Sequence, residues 1–112
     1  MRRDPSTELV QGTLDLLILR SLSLEPMHGF GISRRIEQVS DGVFRVNPSS
    51  LLQAFRRLER EGLISGEWAS TENNRRARVY RLTPKGQRQL HRETADWERR
   101  TAAIGRLLTE ES

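Results

Sequence analysis

The segment from Ser49 to Leu82 constrains the fold of this chain more tightly than any other. It reads SSLLQAFRRLEREGLI, then SGEWASTENNRR, then ARVYRL. Leu51, Phe55 and Leu58 recur at i, i+4 and i+7, the spacing of one helix face, while Ser50, Gln53, Arg57 and Arg60 fall on other faces. Gly62 is a helix stop. Leu63 to Ala69 and Ala77 to Leu82 read as strands with Trp68 and Tyr80 as large anchors, joined by the polar connection Ser70 to Arg76. The order is therefore helix, strand, arginine-tipped loop, strand. That order suits DNA: a helix fits the major groove, and a basic loop can grip an adjacent backbone or minor groove. No enzyme signal of comparable strength competes.

The flanking segments complete an α+β, mainly helical chain. Leu9, Val10, Leu14, Leu17, Ile18 and Leu22 recur at helical spacing, broadened by Leu16 and Leu19, with Ser6 or Thr7 able to cap this first helix. A helix this apolar is either centrally buried or shared with a partner chain. A second, short helix is expected over Gly29 to Val39, with Phe30, Ile32, Ile36 and Val39 on its buried side. Asp41-Gly42 is a turn signal. Val43, Phe44 and Val46 could form a short third strand or an extended linker, and Asn47 or Ser49 caps the third helix. Thr83-Pro84 starts a final helix running to about Glu110. On it Leu90, Trp97 and Ile104 repeat every seven residues, with Thr94, Thr101 and Leu108 as a companion row. A long helix leaving a small domain cannot bury such a stripe alone, so a dimer contact is expected.

Composition sharpens this by exclusion. The chain has 112 residues, a length that fits one compact domain. It has no cysteine, which removes disulfides, thiolate metal sites and cysteine nucleophiles. Lys plus Arg number 19 against 15 Asp plus Glu, and nearly all the positive charge is arginine, the side chain that forks onto phosphate and guanine. The apolar run Leu14 to Leu19 is broken by Asp15 and is far too short to span a bilayer. Residues 1–8 are basic but lack the apolar core of a signal peptide. A soluble cytoplasmic protein with a short disordered N-terminus is expected, with no cofactor, no metal and no membrane partner. His28 and His91 have no metal-ligand spacing.

The element order is that of a winged helix-turn-helix with a long C-terminal dimerisation helix, and the residues resemble the PadR family of transcriptional regulators. The resemblance rests on GTLDLLILRSLSLEPMHGFGISRRIE (Gly12 to Glu37), SLLQAFRRLEREGLI (Ser50 to Ile64) and ENNRRARVYRLTPKG (Glu72 to Gly86), in family order and at family-like spacing. WERRTAAIGRLL (Trp97 to Leu108) is similar to the branch with a single C-terminal helix. In that branch the last helix packs on the first helix of the other subunit. The resemblance implies a DNA-binding unit over residues 8–83, a dimerisation helix over 84–110, and a homodimeric repressor on a pseudo-palindromic operator. The family usually has Gly-Ser-Leu-Tyr-Pro where this chain has Ser49, Ser50, Leu51, Leu52 and Gln53, and Phe30 stands where tyrosine is common. The expectation is altered specificity rather than lost binding, because the basic groups remain.

Candidate residues follow from these readings. Ser49, Ser50 and Gln53 occupy the first turn of the recognition helix, which meets base edges. Ser49 could instead serve only as the cap. Glutamine can pair with adenine. Arg57 is a candidate phosphate clamp with Arg56 and Arg60, or could pair locally with Glu61. Asn74, Arg75, Arg76 and Arg78 form the wing, where arginine is drawn to a narrow minor groove. His28 would cap the second helix or touch the DNA backbone. Leu9, Leu14, Leu17, Leu90, Trp97, Ile104 and Leu108 are the dimerisation set. Trp97 could also line a pocket for a flat aromatic small-molecule effector. The contrasting reading is a winged-helix protein-interaction module that has lost DNA reading, since an exposed Leu52 suits a protein groove.

Overall fold

The computed structural model describes residues 11–70 and 73–110. Among these, four helices and a small antiparallel sheet follow in the order α1 (Gln11–Leu24), β1 (Met27–His28), α2 (Gly29–Val39), α3 (Pro48–Arg60), β2 (Ile64–Ser70), β3 (Arg76–Leu82) and α4 (Pro84–Thr109). The mainly helical winged helix-turn-helix is thus present. The expected caps Ser6 and Thr7, and Leu9 and Val10, lie outside the described residues.

The helix ends follow from local chemistry. Asn47 caps α3, its side-chain oxygen accepting from Ser49 N at 2.8 Å and Ser50 N at 3.4 Å. At the other end Gly62, at φ +75°, lets Leu63 N reach Leu58 O and its own N reach Glu59 O, both at 3.0 Å. Thr83 then performs two tasks with one hydroxyl. It donates to Gly62 O at 2.6 Å and accepts from Gly86 N at 3.0 Å, so the stop of α3 and the start of α4 share an atom. Lys85 Nζ adds a bond to Glu61 O at 2.8 Å.

The core gathers Leu14, Ile18, Leu19 and Leu22 of α1, Ile32 and Ile36 of α2, Leu51, Ala54, Phe55 and Leu58 of α3, and Leu63, Ile64, Tyr80 and Leu90. Phe55 and Tyr80 tie α3 to the hairpin with ring centroids 4.3 Å apart. Gly86 is held close to the β2 entrance: a Cβ there would lie 2.0 Å from Leu63 O.

Several expectations are corrected. The third strand is Met27–His28, paired with Tyr80 and Val79 at the edge of β3. Of the two readings of residues 43–46, the linker holds and the strand does not. Phe30 and Val39 are exposed: the face of α2 that meets the core is set by Ile32 and Ile36, Phe30 lies on the opposite side, and Val39 shares that face but is the last residue of the helix. Trp68 is 58% exposed: it sits on the part of the hairpin that has already passed the end of the core.

Candidate nucleic-acid interface

The outward side of α3 carries Ser49, Ser50, Gln53, Arg56 and Arg60, all exposed. Because Asn47 does the capping, the hydroxyls of Ser49 and Ser50 are left without a partner among the described residues. The reading of Ser49 as a mere cap is overturned. Arg56 and Arg60 make no ion pair within the described chain.

Arg57 faces the other way. It does not pair with Glu61; its Nη2 bonds Asp15 Oδ1 of α1 at 2.5 Å, with only 21% and 16% of the two side chains exposed. The polar break in the apolar run of α1 was the visible sign of this partner. Burial pushes the Asp15 carboxyl above its usual range, and the Arg57 bond opposes that rise. Arg57 Nε is buried without a hydrogen-bond partner among the described residues, so the pair fixes α1 to α3 at some desolvation cost.

The wing is more ordered chemically than its polarity implies. In the hairpin register Trp68 stands opposite Arg78, and Ser70 opposite Arg76. Alternation puts these side chains on the same face as the buried Tyr80, so the face that packs on α3 at its base becomes a cationic surface further out. The guanidinium carbons of Arg76 and Arg78 lie 5.1 and 5.7 Å from the Trp68 ring centroid, within cation–π range. Arg78 Nη2 also bonds Glu59 Oε2 of α3 at 2.7 Å, which holds the guanidinium charge more firmly. Trp68, expected as an anchor, is instead a platform for the wing arginines, as the strand register shows; Glu59 enters the wing only through its pair with Arg78. Asn74 is exposed at φ +59° and turns the tip, a conformation asparagine tolerates. Arg75 is exposed beside it.

His28 caps α2, its Nδ1 accepting from Gly31 N at 3.1 Å. Next to it an open groove of about 400 Å³ runs between α2, α3 and β3. Its walls include Phe30, Leu52 and Phe55, with Arg78 at the wing side.

The dimerisation candidates divide. Leu14 and Leu90 are buried in the chain's own core and Leu17 is partly buried. Trp97, Ile104 and Leu108 remain 46%, 52% and 80% exposed. A second cleft of about 170 Å³ lies between α1 and α4, lined by Gly12, Thr13 and Leu16 against Glu93, Asp96, Trp97 and Arg100. Glu93 Oε2 is buried there without a hydrogen-bond partner among the described residues, and burial pushes that carboxyl above the usual glutamate range. Among the described residues no three His, Cys, Asp or Glu side chains cluster as a metal site, and no helix is long and apolar enough to cross a membrane.

Comparison with known proteins places this architecture. The model of the transcriptional regulator PadR-like family matches residues 18–92. The structure is similar to a PadR family transcriptional regulator from Eggerthella lenta, with 30% identity, TM-score 0.74, and 90% of this chain and 86% of that one covered. It is also similar to a PadR-like transcriptional regulator from Bacillus cereus, with 25% identity, TM-score 0.80, and 91% and 97% covered. In sequence, it is 36% identical over 89 residues to an uncharacterized 37.1 kDa protein in transposon TN4556 of Streptomyces fradiae; the match covers 80% of this chain and only 24% of that protein.

Proposed function

The chain belongs to the PadR-like family of transcriptional regulators, and from that premise we propose that it is a homodimeric, sequence-specific repressor acting on a pseudo-palindromic operator. The observation that carries the reading is the shared outward surface of α3 and the wing. Ser49, Ser50 and Gln53 stand open at the first turn of α3, and on the wing Arg76 and Arg78 are stacked on Trp68, with Arg78 bonded to Glu59 of the same helix. Each protomer then has a DNA-binding unit, residues 8–83, and a dimerisation helix, residues 84–110, whose exposed Trp97, Ile104 and Leu108 seek the partner's first helix. Two recognition helices enter successive major grooves about one helical turn apart. The repressor role follows the habit of the family. The cleft at Trp97 is the place for a flat aromatic effector, and the cytoplasm is the compartment such a regulator works in.

The test is titration of the purified protein against its own promoter region and random duplex at two salt concentrations. Selective binding that falls steeply with salt is expected, because arginine–phosphate contacts release counterions. Arg76→Ala weakens binding to all sequences and flattens the log–log salt slope by about one. Gln53→Ala relaxes sequence preference. Binding untouched by Arg76→Ala removes the wing from the interface.

The exposed apolar groove at Leu52 and Phe30 is the one observation favouring a second reading, a module that docks a protein. Salt-insensitive affinity for a protein partner, with no DNA binding, is its mark.

A further inference from the structure

We infer that Leu52 and Phe30 form an apolar reader of thymine, selecting operators by the C5-methyl group of the base pair facing the first turn of α3. The inference rests on α3 being the recognition helix. Leu52 is 45% exposed and Phe30 68% exposed, and both open onto the groove between α2, α3 and β3. Their placement is not that of a detached patch. Leu52 is adjacent to Gln53, three residues beyond Ser49 and four before Arg56, so it shares the open edge of α3 with residues that suit bases and phosphates.

The charge around the groove identifies what covers it. Arg56 lies one turn along α3 without an ion-pair partner among the described residues, Arg78 lines the groove from the wing, and Arg76 follows it on the same face of β3, stacked on Trp68. Glu59, the nearby carboxylate of α3, is already bonded by Arg78. The N-terminus of α3 adds its own positive end and two open serine hydroxyls. A polyanion fits this rim. Within the major groove of DNA the apolar feature a polyanion presents is the thymine methyl, which meets alkyl and phenyl side chains. Gln53, one residue on, is suited to adenine. Each half-site is therefore expected to hold thymine next to the adenine–thymine pair that Gln53 contacts.

The experiment first selects preferred duplexes from a random pool with the full-length protein. Each thymine of the selected half-site is then replaced by deoxyuridine, which removes the methyl and leaves the hydrogen-bonding edge unchanged. Affinity is expected to fall about three- to fivefold at one or two positions, the scale of one buried methyl. Leu52→Ala is expected to bind the thymine and deoxyuridine duplexes equally at one of them, and Phe30→Ala at the same or the neighbouring position. Both side chains are exposed, and the deoxyuridine series on the unaltered protein needs no variant. Sequence selection that survives with equal affinity at every deoxyuridine position overturns the thymine reader and leaves the regulator reading standing. Failure to select any sequence over random DNA removes the regulator reading and this inference with it.

Discussion

Arg78 and Glu59 show how a residue can serve an interface without reaching the ligand. Glu59 is acidic and sits in a helix proposed to face phosphate, so simple electrostatics predicts that removing it strengthens DNA binding. Its bond to Arg78 predicts the opposite, because that contact holds the wing against α3. Glu59→Ala is expected to weaken operator binding severalfold, and Arg78→Lys not to restore a wild-type interface, since an ammonium cannot both fork to a carboxylate and stack on Trp68. Titration at two salt concentrations checks this; tighter binding by Glu59→Ala would sink the bracing role. Glu93 makes a different prediction. Its folded-state pKa is raised by burial, so the folded state holds this proton more tightly than the unfolded chain. The group's stabilising contribution is therefore complete below the ordinary glutamate range and is lost as pH rises through the raised value. Glu93→Gln is expected to melt higher than wild type at neutral pH, with the gap closing on acidification. Single residues were where sequence reading was weakest. Phe30 and Trp68 look like anchors by type, yet exposure depends on what lies opposite, and the far end of the hairpin has no core opposite it.

The helices and hairpin strands of this chain were legible because their signals are long and punctuated. The spacing of Leu51, Phe55 and Leu58, the Asn47 cap and the Gly62 stop all agree on α3. Thr83-Pro84 fixes the start of α4 in the same way. Strand β1 was not legible: two residues carry no alternation, and Met27–His28 is a strand only because β3 offers it an edge. Close approach between elements was equally hidden. Gly86 reads as an ordinary glycine in a helix, yet a Cβ would press on Leu63 O at 2.0 Å. Gly86→Ala is expected to destabilise the chain by about 1–3 kcal/mol through forced backbone movement, despite alanine's better helix propensity. Thermal or urea melting checks it, and an unchanged midpoint would mean that the β2 entrance yields freely.

At the scale of the whole molecule, one chain leaves its longest helix half employed. Leu90 is packed in the core, while Trp97, Ile104, Leu107 and Leu108 are exposed. The periodicity that predicted a partner-seeking stripe was thus partly satisfied within the chain, which a seven-residue repeat cannot distinguish. In the proposed homodimer the remaining stripe is covered. Ile104→Glu is then expected to shift the protein from dimer to monomer in sedimentation or light scattering, and to weaken operator binding because one half-site must suffice. A dimer that persists unchanged would place the interface elsewhere. The joint at Thr83 gives this arrangement a mechanical character. One hydroxyl closes α3 and opens α4, and Lys85 bonds the same corner, so the two helix ends are tied to each other. In the proposed homodimer, two such protomers joined through α4 would act as a caliper with fixed jaws: the distance between reading heads would be a property of the protein, and the DNA would have to come already cut to that gauge.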